Sequence, residues 1–139
     1  MNIQVAVLCD SATEYQNRLC ILGIFDTIGT HKLPATKPQC SIALQILWTK
    51  IEEGSHTIKT RFMDDDGNPT LKPFNSSVEV IIPPISSFVT TNHILNIQKL
   101  KFTKTGNYLI VIDIDGKMAT EIQLQVLLIE QETRQLHSR

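Results

Sequence analysis

Apolar side chains recur at every second position through most of this chain, and that period is what most restricts its fold. In a pleated strand successive side chains point to opposite faces, so residues two apart share a face, whereas a helix spaces them three and four apart. Ile42, Leu44, Ile46 and Trp48 alternate with Ala43, Gln45, Leu47 and Thr49, and His56, Ile58, Thr60 and Phe62 with Thr57, Lys59, Arg61 and Met63. Val78, Val80 and Ile82, then Leu95 and Ile97, Leu100 and Phe102, and Tyr108, Ile110, Ile112 and Ile114 continue the pattern. The phase slips between Ile97 and Leu100, which predicts a bulge or a bend there.

Turn-forming residues punctuate these runs: SATEYQN, KLPATKPQ, EEGS, DDDGNP, Pro83-Pro84, TKTGN and DIDGK. The six prolines all fall outside the alternating stretches, as strand ladders require. In GNYLIVIDIDGKMATEIQLQVLL, a plain two-residue loop at Asp115-Gly116 would mix the two faces of a hairpin. A longer loop over 115–117 sets Ile114 beside Met118, Ile112 beside Thr120, Ile110 beside Ile122 and Tyr108 beside Leu124, which keeps one face apolar. DIDG is therefore read as a bend, with Asp115 bonding local backbone. Helical patterning is weak everywhere, and LLIEQETRQLHSR is its best candidate. One domain over 1–130 with a polar tail over 131–139 is expected.

At 139 residues the chain can bury roughly two-thirds of its unfolded surface without a metal or disulfide. Thirteen basic and fourteen acidic residues give a formal charge of −1, so the strong positive balance of a duplex nucleic-acid binder is missing. The opening MNIQVAVLCDSATE reads as a strand and not as a secretory leader, and no apolar run approaches the length of a spanning helix. A cytoplasmic protein without membrane attachment is expected. Cys9, Cys20 and Cys40 form no CxxC pair, so they are read as buried free thiols, with Cys9 and Cys20 able to face each other across a hairpin.

The motifs that could carry chemistry are few. DDDGNP at 64–69 has clustered carboxylates and a glycine, but Phe62 and Pro73 stand where a calcium loop needs its first and last ligands, so it is read as a surface turn. Nucleophile elbows, SxxK, phosphate loops and paired histidines are missing from the sequence. No catalytic residue, metal ligand or cofactor is assigned. Asp10 and Asp26 each close an apolar stretch, VAVLCD and ILGIFD. By alternation Asp26 shares a face with Leu22, Ile24 and Ile28, where an ionised carboxylate must be paired or hydrogen-bonded. Asp10, Asp26 and His31 are the candidate ligand-binding residues, with the 64–66 cluster beside them. Lys59 and Arg61 on one strand, and Lys99 and Lys101 on another, would form a basic patch were those strands neighbours.

VLCDSATEYQNRLCILGIFDTI, LPATKPQCSIAL, EEGSHTIKTRFMDDDG and TGNYLIVIDIDG together resemble a family of small uncharacterised bacterial proteins, with ILGIFD and PQCSIAL the most specific pieces. The resemblance spans nearly the full length and implies a compact cytoplasmic domain of unknown function. GNYLIVIDIDG is also similar to the last hairpin of immunoglobulin-like sandwiches, a fold-level likeness only.

These observations predict an all-β, antiparallel two-sheet sandwich, immunoglobulin-like, of seven to nine strands with little helix; a jelly roll is the alternative. The expected core is Val5, Val7, Leu22, Ile24, Ile42, Leu44, Ile46, Trp48, Ile58, Phe62, Val80, Tyr108, Ile110, Ile112, Ile122 and Leu124. Leu47, Ile81, Val111, Leu127 and Ile129 are expected to face outward. A non-enzymatic interaction module follows, meeting a protein partner or a second copy through strand edges or that outward apolar surface. The alternative is a small-ligand or carbohydrate-binding module that uses loops at one end of the sandwich.

Overall fold

Two layers of pleated sheet account for the alternation. The computed structural model of the chain describes residues 1–130, so the tail and the greater part of the helical candidate lie outside the described residues. In chain order the strands are β1 (Asn2–Tyr15), β2 (Arg18–Ile24), β3 (Thr27–Thr30), β4 (Ala35–Thr49), β5 (Gly54–Met63), β6 (Phe74–Val80), β7 (Phe88–Phe102), β8 (Gly106–Ile114) and β9 (Lys117–Leu128). One 3-10 turn, Lys50–Glu52, joins β4 to β5. A four-stranded sheet has the order β2-β1-β4-β7, and a five-stranded sheet the order β3-β9-β8-β5-β6. All neighbours run antiparallel except β3 and β9, which pair in parallel.

The two inner faces supply one core. Leu8, Ile42, Leu44, Ile46, Trp48, Ile97, Leu100 and Phe102 from the first sheet pack against Ile58, Phe62, Val80, Tyr108, Ile110, Ile112, Ile114, Ile122, Leu124 and Val126 from the second. Most of the expected core is therefore where the period of two puts it.

Four expected core positions are not. Leu22 and Ile24 are 71% and 63% exposed. They lie opposite Ser11 and Cys9 on the outer face of the first sheet, while Leu19 and Ile21 turn toward the inner side. The run LCILGI is apolar on both parities, so its period does not choose a phase. Val5 and Val7 are only half-buried, because a register shift between Ile3 and Val5 hands the inner face to Ile3, Ala6 and Leu8. Among the expected outward residues, Ile81 and Leu127 are exposed, Leu47 and Ile129 half-buried. Val111 is buried at 2% exposure. It lies on the outer face between Arg61 and Glu121, in the middle of the sheet.

The slip at 97–100 is a bend. Lys99 adopts a left-handed φ of 56°, yet the β4–β7 register runs unbroken from Cys40↔Ile97 through Lys37↔Leu100 to Ala35↔Phe102. No residue is inserted; both strands change phase together across Pro38 and Lys99. In the last hairpin Ile112↔Thr120, Ile110↔Ile122 and Tyr108↔Leu124 pair as expected. The mechanism differs: Asp115 and Gly116 form a tight two-residue turn with φ of 52° and 81°, Ile114 faces Lys117, and the shift is taken up between Ile112 and Asp113. Positive φ at both central positions is the turn whose twist suits adjoining strands.

Candidate functional site

The three candidate residues are not gathered into one place. Asp10 sits in β1, where Lys37 Nζ donates to its Oδ1 at 2.9 Å and lies 4.7 Å above the Phe25 ring. Its carboxylate occupies the space a Cβ at Gly23 would need, and Gly23 has φ of +71°; glycine there lets β1 and β2 close on the carboxylate. Asp26 does not share a face with Leu22 and Ile24, because the chain crosses between sheets at Phe25-Asp26. The Thr27 hydroxyl donates to its Oδ1 at 2.9 Å, and its carbonyl accepts from Gln125 N at 2.9 Å. His31 is at the far end of β3, with Nδ1 2.9 Å from the Ile129 carbonyl. Ile129 in turn lies over Gly29, where a Cβ would collide with it.

Asp26 does meet the 64–66 cluster. A cavity of about 390 Å³ is lined by Asp26, Asp64, Asp65, Asn107, Tyr108 and Gln125 among others. Most of its polar groups are already engaged. Asp64 Oδ1 accepts from the amides of Asp66 and Asn68 at 3.0 and 2.9 Å, and Lys104 Nζ is 3.3 Å from its Oδ2. Those amides, with Lys104, hold the Asp64 carboxyl below the usual carboxylate range. The Tyr108 hydroxyl donates to the Lys104 carbonyl at 2.6 Å. Among the described residues no group of three or more His, Cys, Asp or Glu is placed to hold a metal ion.

Two ion pairs lie on the second sheet. Arg61 grips Asp113 with Nε to Oδ2 at 2.7 Å and an Nη to Oδ1 at 3.2 Å. The expected basic patch does not form, because β5 and β7 belong to different sheets. Asp115, expected to bond local backbone, instead reaches β5: its Oδ1 accepts from Thr57 N at 2.9 Å and its Oδ2 is 2.6 Å from His56 Nδ1. The other ring nitrogen of His56 faces the Glu52 carbonyl, and the ring stacks on Trp48 with centroids 4.3 Å apart. Two acceptors raise the His56 pKa above its ordinary value, the Asp115 carboxylate first. With Nε2 capped by a carbonyl, this pair ties the β8–β9 turn to β5 and has no nitrogen left to take a substrate proton.

Two features remain that no motif signals. A second cavity, of about 370 Å³, opens between the sheets where β6 and β7 form their edges. Alongside it runs the edge of β7, fifteen residues long, which pairs with β4 on one side and with no described strand on the other. Residues 88–98, FVTTNHILNIQ, contain no Asp, Glu, Lys, Arg, Pro or Gly. A family model described as a family of unknown function, DUF6941, matches residues 4–127.

The chain belongs to DUF6941. No curated protein matches it. Among solved structures, the Pseudomonas fluorescens alkylpurine DNA glycosylase AlkC bound to DNA containing an abasic site analog is similar over 73% of this chain and 27% of that one, at 7% identity and a TM-score of 0.49. A glycosyl hydrolase family 2 member from Bacteroides cellulosilyticus DSM 14838 is similar over 66% of this chain and 14% of that one, at 14% identity and a TM-score of 0.38. The DUF6941 chain thus spans about a quarter and a seventh of these proteins.

Sequence reasoning missed the second cavity of this DUF6941 chain, although a signal was present. Ser76 on β6, and Thr91 and His93 on β7, are polar residues at positions paired with the core: Ser76 with Ile58, Thr91 with Ile46 and His93 with Leu44. It placed Ile81 outward but missed the other exposed apolar side chains that share its end of the sandwich. Ile51, Ile81, Ile85 and Phe88 are 94%, 71%, 97% and 52% exposed. Phe88 pairs with Thr49, and Lys50 Nζ donates to the Pro84 carbonyl at 3.4 Å, so these residues share one end.

Proposed function

We propose that this DUF6941 chain is a self-associating interaction module that pairs with a second copy of itself along β7. The observation that carries the reading is the long uncharged edge over residues 88–98. An unpaired strand edge is a row of backbone donors and acceptors that templates another strand, and native proteins normally blunt it with lysine, proline or an inward charge. Here the blunting residues come late: the left-handed Lys99, then Lys101. Self-pairing sets like residues close together, so a charged edge would repel its own copy, and this one has no such charge. His93, the single titratable group within the stretch, is held below the ordinary histidine pKa by burial, which keeps it neutral. Antiparallel pairing about a twofold axis is the isologous arrangement open to such an edge.

The same proposal has the protein in the reducing cytoplasm, a setting consistent with free Cys9, Cys20 and Cys40, the second of them exposed. The near-neutral charge of −1 favours a protein partner over nucleic acid or an anionic membrane surface.

The midpoint of 88–98 is residue 93, so central pairing brings Ile94 of one copy within two positions of Ile94 of the other. The full chain is expected to sediment as a dimer at micromolar concentration. Ile94→Lys and Ile94→Glu should each sediment as monomers, and an equimolar mixture of the two should recover the dimer. A monomeric wild-type chain, or dimeric single variants, would refute the pairing.

A second reading has one observation in its favour: the end-loop carboxylates Asp26, Asp64 and Asp65 line a common cavity with Asn107 and Gln125, a donor-and-acceptor set suited to a sugar. A melting-temperature screen of mono- and disaccharides decides it. A saturable rise lost in Asp26→Asn supports it, and no rise with any sugar removes it.

A further inference from the structure

We propose that the slot between β6 and β7 is a binding site for a small uncharged amphiphile, a molecule with an aliphatic or aromatic body and one hydroxyl or amide group. The slot has about 370 Å³ of space, within the range of small-ligand pockets. Its floor is apolar: Ile42, Leu44 and Ile58 are 1%, 3% and 3% exposed. Its polar side chains, Thr60, Asn75, Ser76 and His93 among them, are all neutral, and among the described residues no Asp, Glu, Lys or Arg lines it. An ion entering such a site would lose water without gaining a counter-charge, whereas an apolar body gains from the floor.

The space exists because of two residue choices. Ser76 lies opposite Ile58, exposed at the mouth of the slot, and His93, half-buried, lies opposite Leu44. A leucine or valine at 76 would cover that mouth; serine leaves room and a hydroxyl. His93 is held at one ring nitrogen. The Trp48 indole N–H can only donate, and it donates to Thr91 Oγ1 at 2.8 Å. Thr91 Oγ1 is also 2.8 Å from His93 Nε2, a bond that either group can donate. Among the described residues no side chain or backbone group bonds Nδ1. It is therefore available to a hydroxyl or amide group in the slot. Burial lowers the His93 pKa, in keeping with a neutral ring. Asn92, His93, Ile94 and Leu95 line the slot and also lie on the β7 edge, so the slot and the proposed pairing share that wall.

The test is a titration of the full chain with benzyl alcohol and, separately, with benzoate, followed by carbon-13 correlation spectra of isoleucine and leucine methyls and histidine rings. Benzyl alcohol is expected to shift Ile42, Leu44, Ile58 and His93 saturably, with a Kd of about a millimolar, as befits so few non-hydrogen atoms. Benzoate should bind at least about tenfold more weakly at pH 8. Ser76→Leu should abolish the shifts, and Ser76→Val, the milder filling, should weaken them. Absent or non-saturating shifts at these residues, equal affinity for benzoate, or a folded Ser76 variant with undiminished affinity would each overturn the proposal. The wild-type comparison of the two probes decides the matter even if neither variant folds.

Discussion

His56 shows how much a single side chain can hold together without announcing itself in the sequence. It joins Asp115, 59 positions away, to the Glu52 carbonyl and to the Trp48 ring. Spacing rules see neighbours within a few residues, so DIDG reads as a turn and its second aspartate as a turn-former. Both readings are right about the bend and silent about β5. The pair has a pH signature. His56 is raised from an ordinary 6.5, so its stabilisation is complete below that value and is lost as pH rises through the raised one. Asp115 is lowered from 3.8 by the same contact, so its share is complete above 3.8 and is lost as pH falls through the lowered one. The pair therefore contributes fully between those two ordinary values, by less than about 1 kcal/mol given how exposed Asp115 is. Urea unfolding at pH 5.5 and pH 9 should show that excess in the wild type and not in Asp115→Asn. Trp48 is the chain's single tryptophan, and an imidazolium stacked on an indole quenches it. Its fluorescence should accordingly rise with pH about a midpoint above 6.5, and that midpoint should fall in Asp115→Asn. On the same sheet Asp113 is 8% exposed and relies on Arg61. Arg61→Ala should cost about 2 kcal/mol, measured by denaturant unfolding, because it leaves that carboxylate sheltered and unpaired.

At the scale of the strand, period two identified the elements and failed only where a segment is apolar on both parities or a single residue resets the phase. β4 sets Ile42, Leu44, Ile46 and Trp48, all large and apolar, against Ala43, Gln45, Leu47 and Thr49, so the stronger apolar set marks the inner face. β2 offers Leu19 and Ile21 as readily as Leu22 and Ile24, and which pair turns inward depends on its partner strand. β1 carries a shift near Gln4 that no residue type marks. Lys99 is the opposite case, since the break in pattern between Ile97 and Leu100 was visible and its cause is now specific: a left-handed residue in an otherwise regular ladder. A side chain at φ of 56° stores strain that glycine lacks. Lys99→Gly should leave stability unchanged or raise it by up to about 1 kcal/mol, whereas the β-branched Lys99→Val should lower it by about 1–2 kcal/mol. Equal midpoints for the two variants would show that the bend is relaxed. The slot was equally legible in principle, because a serine and a histidine at core-paired positions of edge strands break the same alternation. A lone polar residue at a strand edge usually meets water, so neither residue marks a slot by itself.

For the molecule as a whole, the two sheets end differently, and the proposed pairing rests on that difference. The second sheet closes its ends with short strands, the four-residue β3 and the seven-residue β6. The first ends in β2 on one side and in fifteen residues of β7 on the other. An edge of that length is stable in isolation only if water serves its backbone as well as a strand would, and a second copy offers the same groups with apolar and β-branched side chains beside them. Pairing couples folding to association, so stability should depend on concentration. Raising the chain from about 1 to 100 micromolar adds roughly RT ln 100, or about 2.7 kcal/mol per mole of dimer, when the folded unit is the dimer. The wild-type melting temperature should therefore climb by several degrees over that range. Ile94→Lys, with like charges set together across the axis, should melt at one temperature throughout. A wild-type chain whose melting temperature ignores concentration would mean that β7 meets water, and the interaction would then have to be sought at the exposed end formed by Ile51, Ile81, Ile85 and Phe88.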